Sequence, residues 1–408
     1  MASPKARYDH YRLYRVHLAT DEQLKTFQEL EARSDSYVFY GHARVVGQKV
    51  TLMVAAHKIA EFAVDILDKY GVQYELLECN MQRKMDVEAT NVLPKDTKAE
   101  NFDWEHYFHL ETINNWLEKC VSEYSFVSSL SLGDSFEGLP IKGVKIAFGG
   151  DEKPAIFVEG GIHAREWISP ATATYILNEI LTSKDEKIVD LRENYTWYFF
   201  PVVNPDGYKF TFEHDRLWRK NRQPHSLVYK GVDLNRNFDS AWNGNGSSAD
   251  PANYDYAGSK AFSEPESAAI AKFILENGKK IKSYIALHSY SQLVMFPFGH
   301  TAEPIRNYED HKRIVEKAKI AIHETHGKVY NVGSKHETIY PSSGGSIDWA
   351  YDTGKIPISV TFELRGPPDS ADMFILPAEE IIPTAQEALA AFIAIVNEAK
   401  LLGYYKNV

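Results

Sequence analysis

From about residue 140 onward, short apolar segments alternate with segments that carry clear helix-start signals, and this alternation predicts an α/β architecture. The strand candidates are continuous apolar runs, as expected of strands that are covered on both faces. They are residues 155–159, 196–203, 283–287 and 358–362. Ser169 followed by Pro170 predicts a helix start shortly after the first strand. The sequence therefore predicts a mixed, mostly parallel sheet with helices on both faces.

Polar side chains follow the carboxyl ends of these four strands. His163 and Glu166 follow the first strand, and Asn204 follows the second. His288 follows the third strand and Glu363 the fourth. Taken alone, His288 is better explained as a hydrogen-bonded core histidine. Ligands bind outside the carboxyl ends of strands in an open α/β sheet, so four parallel neighbours would bring these groups to one edge and form a site.

The residue types at this edge fit a catalytic metal ion. Two histidines and one glutamate leave zinc with an open fourth position, which is typical of a catalytic rather than a structural site. A further carboxylate can act as general base, and guanidinium groups can stabilise an oxyanion or bind a carboxylate. The two cysteines, Cys79 and Cys120, are too few for a thiolate zinc site. A second His-x-x-Glu pair, His300 and Glu303, lies in a polar loop and is predicted to be a solvated turn.

Residues 1–98 differ from the rest of the chain in pattern and in charge. Short strands and helices alternate there in the order βαββαβ, which is typical of a small ferredoxin-like α+β domain. This part holds equal numbers of basic and acidic residues, so the net charge of −11 belongs entirely to residues 99–408. Residues 80–100 are polar and charged, as is typical of a domain boundary. The predicted domains are 1–98 and 99–408.

Composition excludes several classes of protein. No apolar run approaches the roughly 18 residues that span a bilayer, so no membrane partner is expected. A net acidic chain without runs of Lys and Arg is a poor ligand for nucleic acid. Residues 1–10 lack the apolar core of a signal peptide, and sequons at Asn194 and Asn245 fit secretion and chance about equally well.

Seven blocks of sequence share the motifs of one family. They are GIHAREW at 161–167, VNPDGY at 203–208, WRKNR at 218–222, GVDLNRNF at 231–238, LHSYSQ at 287–292, TIY through SGGSIDW at 338–349, and TFELR at 361–365. On these blocks the chain resembles the zinc metallocarboxypeptidases of the pancreatic carboxypeptidase A/B type, in the pro-form and close to invertebrate digestive relatives. The resemblance implies a hydrolase that removes single C-terminal residues from peptides.

The resemblance assigns roles to residues of this chain. It implies one zinc ion per chain, bound by His163, Glu166 and His288. Glu363 resembles the general base that activates the zinc-bound water, and Arg219 resembles the group that stabilises the oxyanion. Contacts to substrate are implied for Asn235, Arg236 and Tyr340 at the terminal carboxylate, and for Arg165, Tyr290 and Phe374 at residues before the scissile bond.

Two further positions bear on the terminal residue that is removed. Ile347 matches the base of the pocket for the last side chain, where an apolar residue accompanies aliphatic or aromatic preference. Lys335 falls where apolar-specific relatives have an apolar lining residue, and a terminal Glu or Asp would suit its ammonium unless it reaches solvent. Carboxypeptidase A-like preference is the prediction, and acidic preference is the alternative.

The resemblance also implies a zymogen. Residues 1–98 resemble an activation segment that covers the cleft until a trypsin-like protease cuts near Arg83, Lys84, Lys95 or Lys98. The expected partners are that protease, peptides or proteins with a free C-terminus, and protein carboxypeptidase inhibitors. The expected location is extracellular, in the gut lumen. The rival interpretations are a catalytically silent module that binds peptide C-termini and an amidohydrolase of small acyl-amino acids.

Overall fold

The computed structural model describes residues 5–31, 36–150, 152–366 and 370–406, and it divides into two compact units. The first unit comprises residues 1–90 together with 369–375, and the second comprises residues 91–368 and 376–408. Within the described ranges, no helix is both long enough and apolar enough to cross a membrane.

The first unit is built on a four-stranded sheet in the order β2-β3-β1-β4, whose neighbours are all antiparallel. Its strands are β1 (Arg12–His17), β2 (Tyr37–Phe39), β3 (Lys49–Val54) and β4 (Gln73–Glu78). Its helices are α1 (Asp21–Glu31), α2 (Ile59–Glu61, which continues as a π-helix over Phe62–Asp68) and α3 (Met81–Ala89), with a 3₁₀ turn at Ala56–Lys58. Phe27 and Phe62 lie fully buried in its core with ring centroids 6.2 Å apart. The predicted βαββαβ order is confirmed.

The second unit contains an eight-stranded sheet in the order β11-β10-β12-β9-β7-β8-β6-β5. Its strands are β5 (Val127–Asp134), β6 (Pro140–Ile146), β7 (Ala155–Glu159), β8 (Thr196–Phe200), β9 (Ile281–His288), β10 (Leu293–Phe296), β11 (Asn331–Ser334) and β12 (Ile358–Glu363). Its helices are α4 (Leu110–Glu123), α5 (Ile168–Thr182), α6 (Glu186–Asn194), α7 (Pro205–Glu213), α8 (Pro265–Asn277), α9 (Tyr308–His326), α10 (Lys335–Thr338), α11 (Ser346–Asp352) and α12 (Ile381–Leu401). Short 3₁₀ turns occur at Ala99–Asn101, Leu234–Arg236 and Ala378–Glu380.

The four strands identified in the sequence lie side by side at the centre of this sheet. Strand β12 pairs with β9, β9 with β7, and β7 with β8, and each of these pairs is parallel. Antiparallel pairing begins only beyond them, at β10 on one side and at β6 on the other. The register places Glu363 directly beside His288. The mixed, mostly parallel sheet predicted from the sequence is therefore confirmed, and its four central carboxyl ends share one edge.

Apolar side chains cover both faces of the central strands. Along β7, Ile156 and Val158 belong to one buried core, whereas Phe157 belongs to the core on the opposite face. All three side chains are fully buried, as a continuous apolar strand requires. This packing holds the edge of the sheet in a fixed geometry.

Ser169 departs from its predicted role as a helix cap. Helix α5 begins at Ile168, so Ser169 already lies in the first turn. Its hydroxyl instead donates to the carbonyl oxygen of Leu287 at 2.6 Å and accepts from the backbone NH of Gly161 at 2.9 Å. The hydroxyl thereby fastens the start of α5 to the end of β9.

Candidate metal centre and active site

Three predicted ligands form a buried cluster at the carboxyl ends of the central strands. His163 Nδ1 lies 2.8 Å from Glu166 Oε1, and His288 Nδ1 lies 3.2 Å from Glu166 Oε2. The two Nδ1 atoms are 3.1 Å apart. None of the three residues is more than 4% exposed. Among the described residues, no other group of three His, Cys, Asp or Glu side chains forms such a cluster.

The connection between β7 and α5 places two of these donors. The chain turns sharply after β7 at Gly161, whose φ of +65° is strained for residues with a side chain. A Cβ atom there would also lie 3.2 Å from both Pro170 and Pro201. His163 and Glu166 follow within the next turn, and the backbone NH of Ser289 donates to Glu166 Oε2 at 3.2 Å. Strand β9 thus fixes the carboxylate from the side of His288.

Asp233 is a residue of this site to which the sequence assigned no role. It is fully buried, and its Oδ1 accepts from His163 Nε2 at 3.1 Å and from the backbone NH of Asn235 at 2.9 Å. Its Oδ2 accepts from Arg219 Nε at 3.0 Å and Nη2 at 2.7 Å. A histidine that binds a metal commonly donates its second NH to a carboxylate. The need of a metal-binding histidine for a carboxylate partner, together with the position of Asp233 two residues before Asn235, could have identified Asp233 from the sequence.

The donor set fits a zinc ion. Because His163 donates through Nε2 to Asp233, its Nδ1 keeps a lone pair towards Glu166 and His288. Burial would raise the pKa of Glu166, but His163 and His288 together hold it well below its ordinary value. An ionised carboxylate and a neutral imidazole are the forms that ligate zinc. Two histidines and one carboxylate leave a coordination position open for chemistry.

Glu363 lies beside this cluster but is not part of it. It ends β12 and is paired in register with His288, which ends β9. The side chain is half-buried, and within the described part of the chain its carboxylate accepts no hydrogen bond. Burial raises the pKa of Glu363 above its ordinary value, while the positive charges of His288, Arg219 and Lys335 oppose that rise. A carboxylate in this state can accept and release a proton.

Guanidinium and amide groups line the adjacent part of the site. Arg219 lies 3.7 Å from Glu166 and forms its main ion pair with Asp233. Arg236 is buried and donates through Nε to the carbonyl of Gly246 at 2.8 Å and through Nη1 to that of Asn235 at 3.0 Å. Within the described residues its Nη2 makes no hydrogen bond.

The remaining predicted carboxylate contacts lie around Arg236. Asn235 Nδ2 lies 3.4 Å from His288 Nε2, and Asn235 Oδ1 accepts from the backbone NH of Ser346 at 2.9 Å. Asp233 is the main influence that raises the pKa of Arg219 and of Arg236, and Tyr340, which is half-buried, lies close enough to add to that rise. The site therefore combines candidate metal ligands, the carboxylate of Glu363, and a guanidinium group with a free Nη2 among the described residues.

Comparison with known proteins agrees with this arrangement. The family model described as "Zinc carboxypeptidase" matches residues 113–391, and the model described as "Carboxypeptidase activation peptide" matches residues 14–88. The chain belongs to the zinc carboxypeptidase family. It is a metallocarboxypeptidase zymogen, with an activation peptide preceding the catalytic domain.

Relatives of this zinc carboxypeptidase match over most of its length. "Zinc carboxypeptidase A 1" of Anopheles gambiae is 43% identical over 405 residues, which is 99% of this chain and 93% of the relative. The crystal structure of thrombin activatable fibrinolysis inhibitor superposes with a TM-score of 0.88 at 32% identity, covering 96% of this chain and 98% of that one. Bovine thrombin-activatable fibrinolysis inhibitor in complex with tick carboxypeptidase inhibitor is 38% identical with a TM-score of 0.69, covering 73% and 99%.

The other predicted contacts of the carboxypeptidase lie in different settings. Arg165 is buried and its carbonyl accepts from Arg216 at 2.8 Å, while Tyr290 is half-buried just after the end of β9. Phe374 belongs to the first compact unit, where its ring lies 5.7 Å from that of Tyr40.

The two specificity positions of the carboxypeptidase are both buried. Ile347 is 2% exposed and belongs to one of the two apolar cores of the second unit. Lys335 is 7% exposed at the start of α10. The alternative in which Lys335 reaches solvent is therefore not met.

Proposed function

We propose that this zinc carboxypeptidase removes single residues from the free C-terminus of peptides, with residues 1–98 as its activation segment. The observation that carries the proposal is the position of Asp233. Its carboxylate lies 3.1 Å from His163 Nε2, 2.7 Å from Arg219 Nη2 and 4.0 Å from Arg236 Nη1. One rigid carboxylate thus sets the spacing between the metal donors and the group proposed to bind the substrate carboxylate. A carboxylate-binding group held beside the metal donors supports cleavage at the last peptide bond.

His163, Glu166 and His288 would hold the zinc ion. When bound, zinc polarises the scissile carbonyl as a Lewis acid and lowers the pKa of water. The hydrogen bond from His163 to Asp233 orients the imidazole ring, so that its Nδ1 would be the atom available to hold the metal ion.

Glu363 would act as general base and then as general acid. It would take a proton from the attacking water and return that proton to the leaving amine. Its carboxylate is free to do so, since no hydrogen bond within the described residues engages it. Burial raises its pKa towards the pH at which both transfers are feasible.

The cationic groups would bind and orient the substrate. Arg219, fixed by two hydrogen bonds to Asp233, would stabilise the oxyanion that develops at the scissile carbonyl. Arg236 would bind the terminal carboxylate through Nη2 with the help of Asn235 and Tyr340. Contacts to residues before the scissile bond are proposed for Arg165, Tyr290 and Phe374.

The proposal is tested by Glu363→Gln in the zinc-loaded chain after limited trypsin treatment. Loss of the proton acceptor should lower kcat by roughly 1000-fold, a loss typical of general acid–base groups. The KM for a blocked dipeptide and a zinc content near one per chain should be retained. The matched control is Glu303→Gln, since Glu303 is exposed in the other His-x-x-Glu pair. An unchanged rate for Glu363→Gln would refute the general-base role.

The preference for one type of C-terminal residue stays a prediction. Ile347 offers an apolar surface, and Lys335 offers a buried positive charge. Neither provides the negative charge that a terminal Lys or Arg would require. We therefore propose that the pocket rejects basic residues.

The proposed partners follow from the activation peptide and the exopeptidase site. A trypsin-like protease would cut at the boundary after residue 98, and the substrates would be peptides or proteins with a free C-terminus. A protein inhibitor is also proposed, since the bovine relative is seen in complex with tick carboxypeptidase inhibitor. The proposed place of action is extracellular, in the gut lumen.

A further inference from the structure

We infer that Lys335 is a specificity-determining residue, and that the pocket for the last side chain accepts C-terminal Glu or Asp. This inference rests on the proposed function, because it names the substrate class of that same site. It favours the second of the two sequence-based predictions over apolar preference.

Lys335 is a buried cation without a partner. The residue is 7% exposed, and within the described ranges its ammonium forms neither a hydrogen bond nor an ion pair. Burying an unpaired charge is strongly unfavourable, because the charge loses its hydration without gaining a partner. A lysine retained under such a cost is best explained by a negative group that arrives with a ligand.

The ammonium lies next to the proposed carboxylate-binding residues. A Cβ atom built on Gly345 would lie 3.0 Å from Lys335 Nζ and 3.5 Å from Asn235 Oδ1. A Cβ atom built on Gly299 would lie 3.0 Å from Lys335 Cδ. Gly345 therefore places no side chain against the ammonium, and Gly299 leaves space for the aliphatic part of the lysine. The ammonium therefore adjoins the place where the last residue of a bound peptide would lie.

The charged groups near Lys335 influence its ammonium without forming an ion pair with it. Asp348, Glu363 and Asp233 favour its charged form, and Arg236 opposes it. Asp348 is the strongest of these influences but is not within ion-pair distance. Its Oδ2 already accepts from Gly299 NH at 2.8 Å and His300 at 3.3 Å, while its Oδ1 has no hydrogen-bond partner among the residues that the structure describes.

Lys335 remains mostly cationic at neutral pH. Burial lowers its pKa to about 8, and the three carboxylates limit that fall. A terminal Glu or Asp is ionised at the same pH. The ammonium and the substrate side chain would thus carry opposite charges under working conditions, in a buried site where such a pair is strong.

The test compares Lys335→Met with the unaltered chain, both zinc-loaded and treated with limited trypsin. The substrates are two blocked dipeptides that differ only in a final Glu or Phe. The unaltered enzyme should have the higher kcat/KM for the Glu substrate. Lys335→Met should lose about 100-fold on the Glu substrate, as expected for truncating one partner of a buried charge pair, and should gain on the Phe substrate. The control is Lys272→Met, an exposed lysine on α8, which should change neither value.

Failure of this inference differs from failure of the proposed function. Cleavage of the Phe substrate but not the Glu substrate by the unaltered enzyme, or equal loss on both substrates in Lys335→Met, would overturn the inference and leave the exopeptidase function standing. If neither dipeptide is cleaved, the proposed function fails. In that case, binding of free L-glutamate and L-phenylalanine is measured by calorimetry. Glutamate binding that is lost in Lys335→Met supports the inference. Glutamate binding that is equal in the unaltered chain and in Lys335→Met refutes it.

Discussion

At the scale of single residues, Asp233 connects His163 of the candidate metal centre with Arg219, one of the cations proposed to bind substrate. It accepts from His163 on one oxygen and from Arg219 on the other, and both bonds are buried. Burial alone would raise its pKa, but Arg219, Arg236 and His163 hold it well below the ordinary value. The residue is therefore a permanent anion. Its negative charge makes the imidazole of His163 a better donor for a metal ion.

Substitution Asp233→Asn should weaken zinc binding by about 10- to 100-fold, the usual effect of removing a carboxylate behind a metal-bound histidine. The amide is nearly the same size but lacks the charge that orients His163 and Arg219. Zinc affinity is measured by competition with a chelator at constant pH. Asp239→Asn is the matched control, because Asp239 is exposed in the same segment. Equal zinc affinity in all three proteins would contradict the role given to Asp233.

The sequence predicted the location of some residues of the site but not the burial of others. The sequence places His163, Glu166, His288 and Glu363 at one edge of the sheet because each follows a recognisable apolar strand, and the structure brings them together there. Burial of Lys335 was not predictable, since a lysine can equally extend to solvent. Gly299, which is distant in sequence, packs against its aliphatic part only after folding, and a Cβ atom there would lie 3.0 Å from Lys335 Cδ.

At the scale of elements, the first turn of α8 carries a buried acidic residue that links distant segments. Glu266 accepts from the backbone NH of Phe136 at 3.1 Å and from Asn221 at 3.0 Å. Asn221 also donates to Glu264 at 2.6 Å. Burial raises the pKa of Glu266 to about 7, whereas the unfolded carboxyl titrates near 4.5.

This shift makes the stability of the second unit depend on pH. Between about pH 4.5 and 7 the folded protein keeps a proton on Glu266 that the unfolded chain has lost, so stability falls as the pH rises. The change is about 3 kcal/mol at most. Glu266→Gln stays neutral, so its thermal midpoint relative to the unaltered protein should improve from pH 5 to pH 7.5.

The control for this prediction is Glu276→Gln on the same helix, where the side chain is exposed. Comparing each variant with the unaltered protein at the same pH cancels the effect of protonating the zinc ligands. A midpoint difference for Glu266→Gln that is the same at pH 5 and pH 7.5 would show that Glu266 does not carry this titration.

Elements were predictable where local pattern and tertiary structure agree. Strand β7 was predicted with the observed bounds, because its apolar run is buried on both faces. The start of α5 was misplaced, since Ser169 has the residue type of a cap but bonds to β9 instead. Strands β10 and β11 were not predicted; at four residues each they are too short for a periodic pattern.

At the scale of the whole molecule, we expect proteolytic activation of the zymogen to depend on which basic residue near residues 83–98 a trypsin-like protease can reach. Proteases cut exposed, extended segments in preference to helices. Arg83 and Lys84 lie within α3, and Lys95 forms ion pairs with Glu111 at 3.0 Å and Glu213 at 3.3 Å. Lys98 is exposed, with φ of −69° and ψ of 148°. These conformations favour Lys98 among the four predicted cleavage sites.

Limited trypsin treatment should therefore release a fragment of residues 99–408 together with an increase in activity on a blocked dipeptide. Lys98→Gln should slow both events in parallel, because it removes the side chain that trypsin requires and leaves the backbone unchanged. Lys84→Gln is the control and should be processed at the normal rate, since helical backbone at that position resists the protease. Intact mass and hydrolysis rate are followed in the same time course. Full activity before any cleavage would refute the zymogen assignment at this boundary, and normal activation of Lys98→Gln with a cut elsewhere would move the boundary to the residue that the mass identifies.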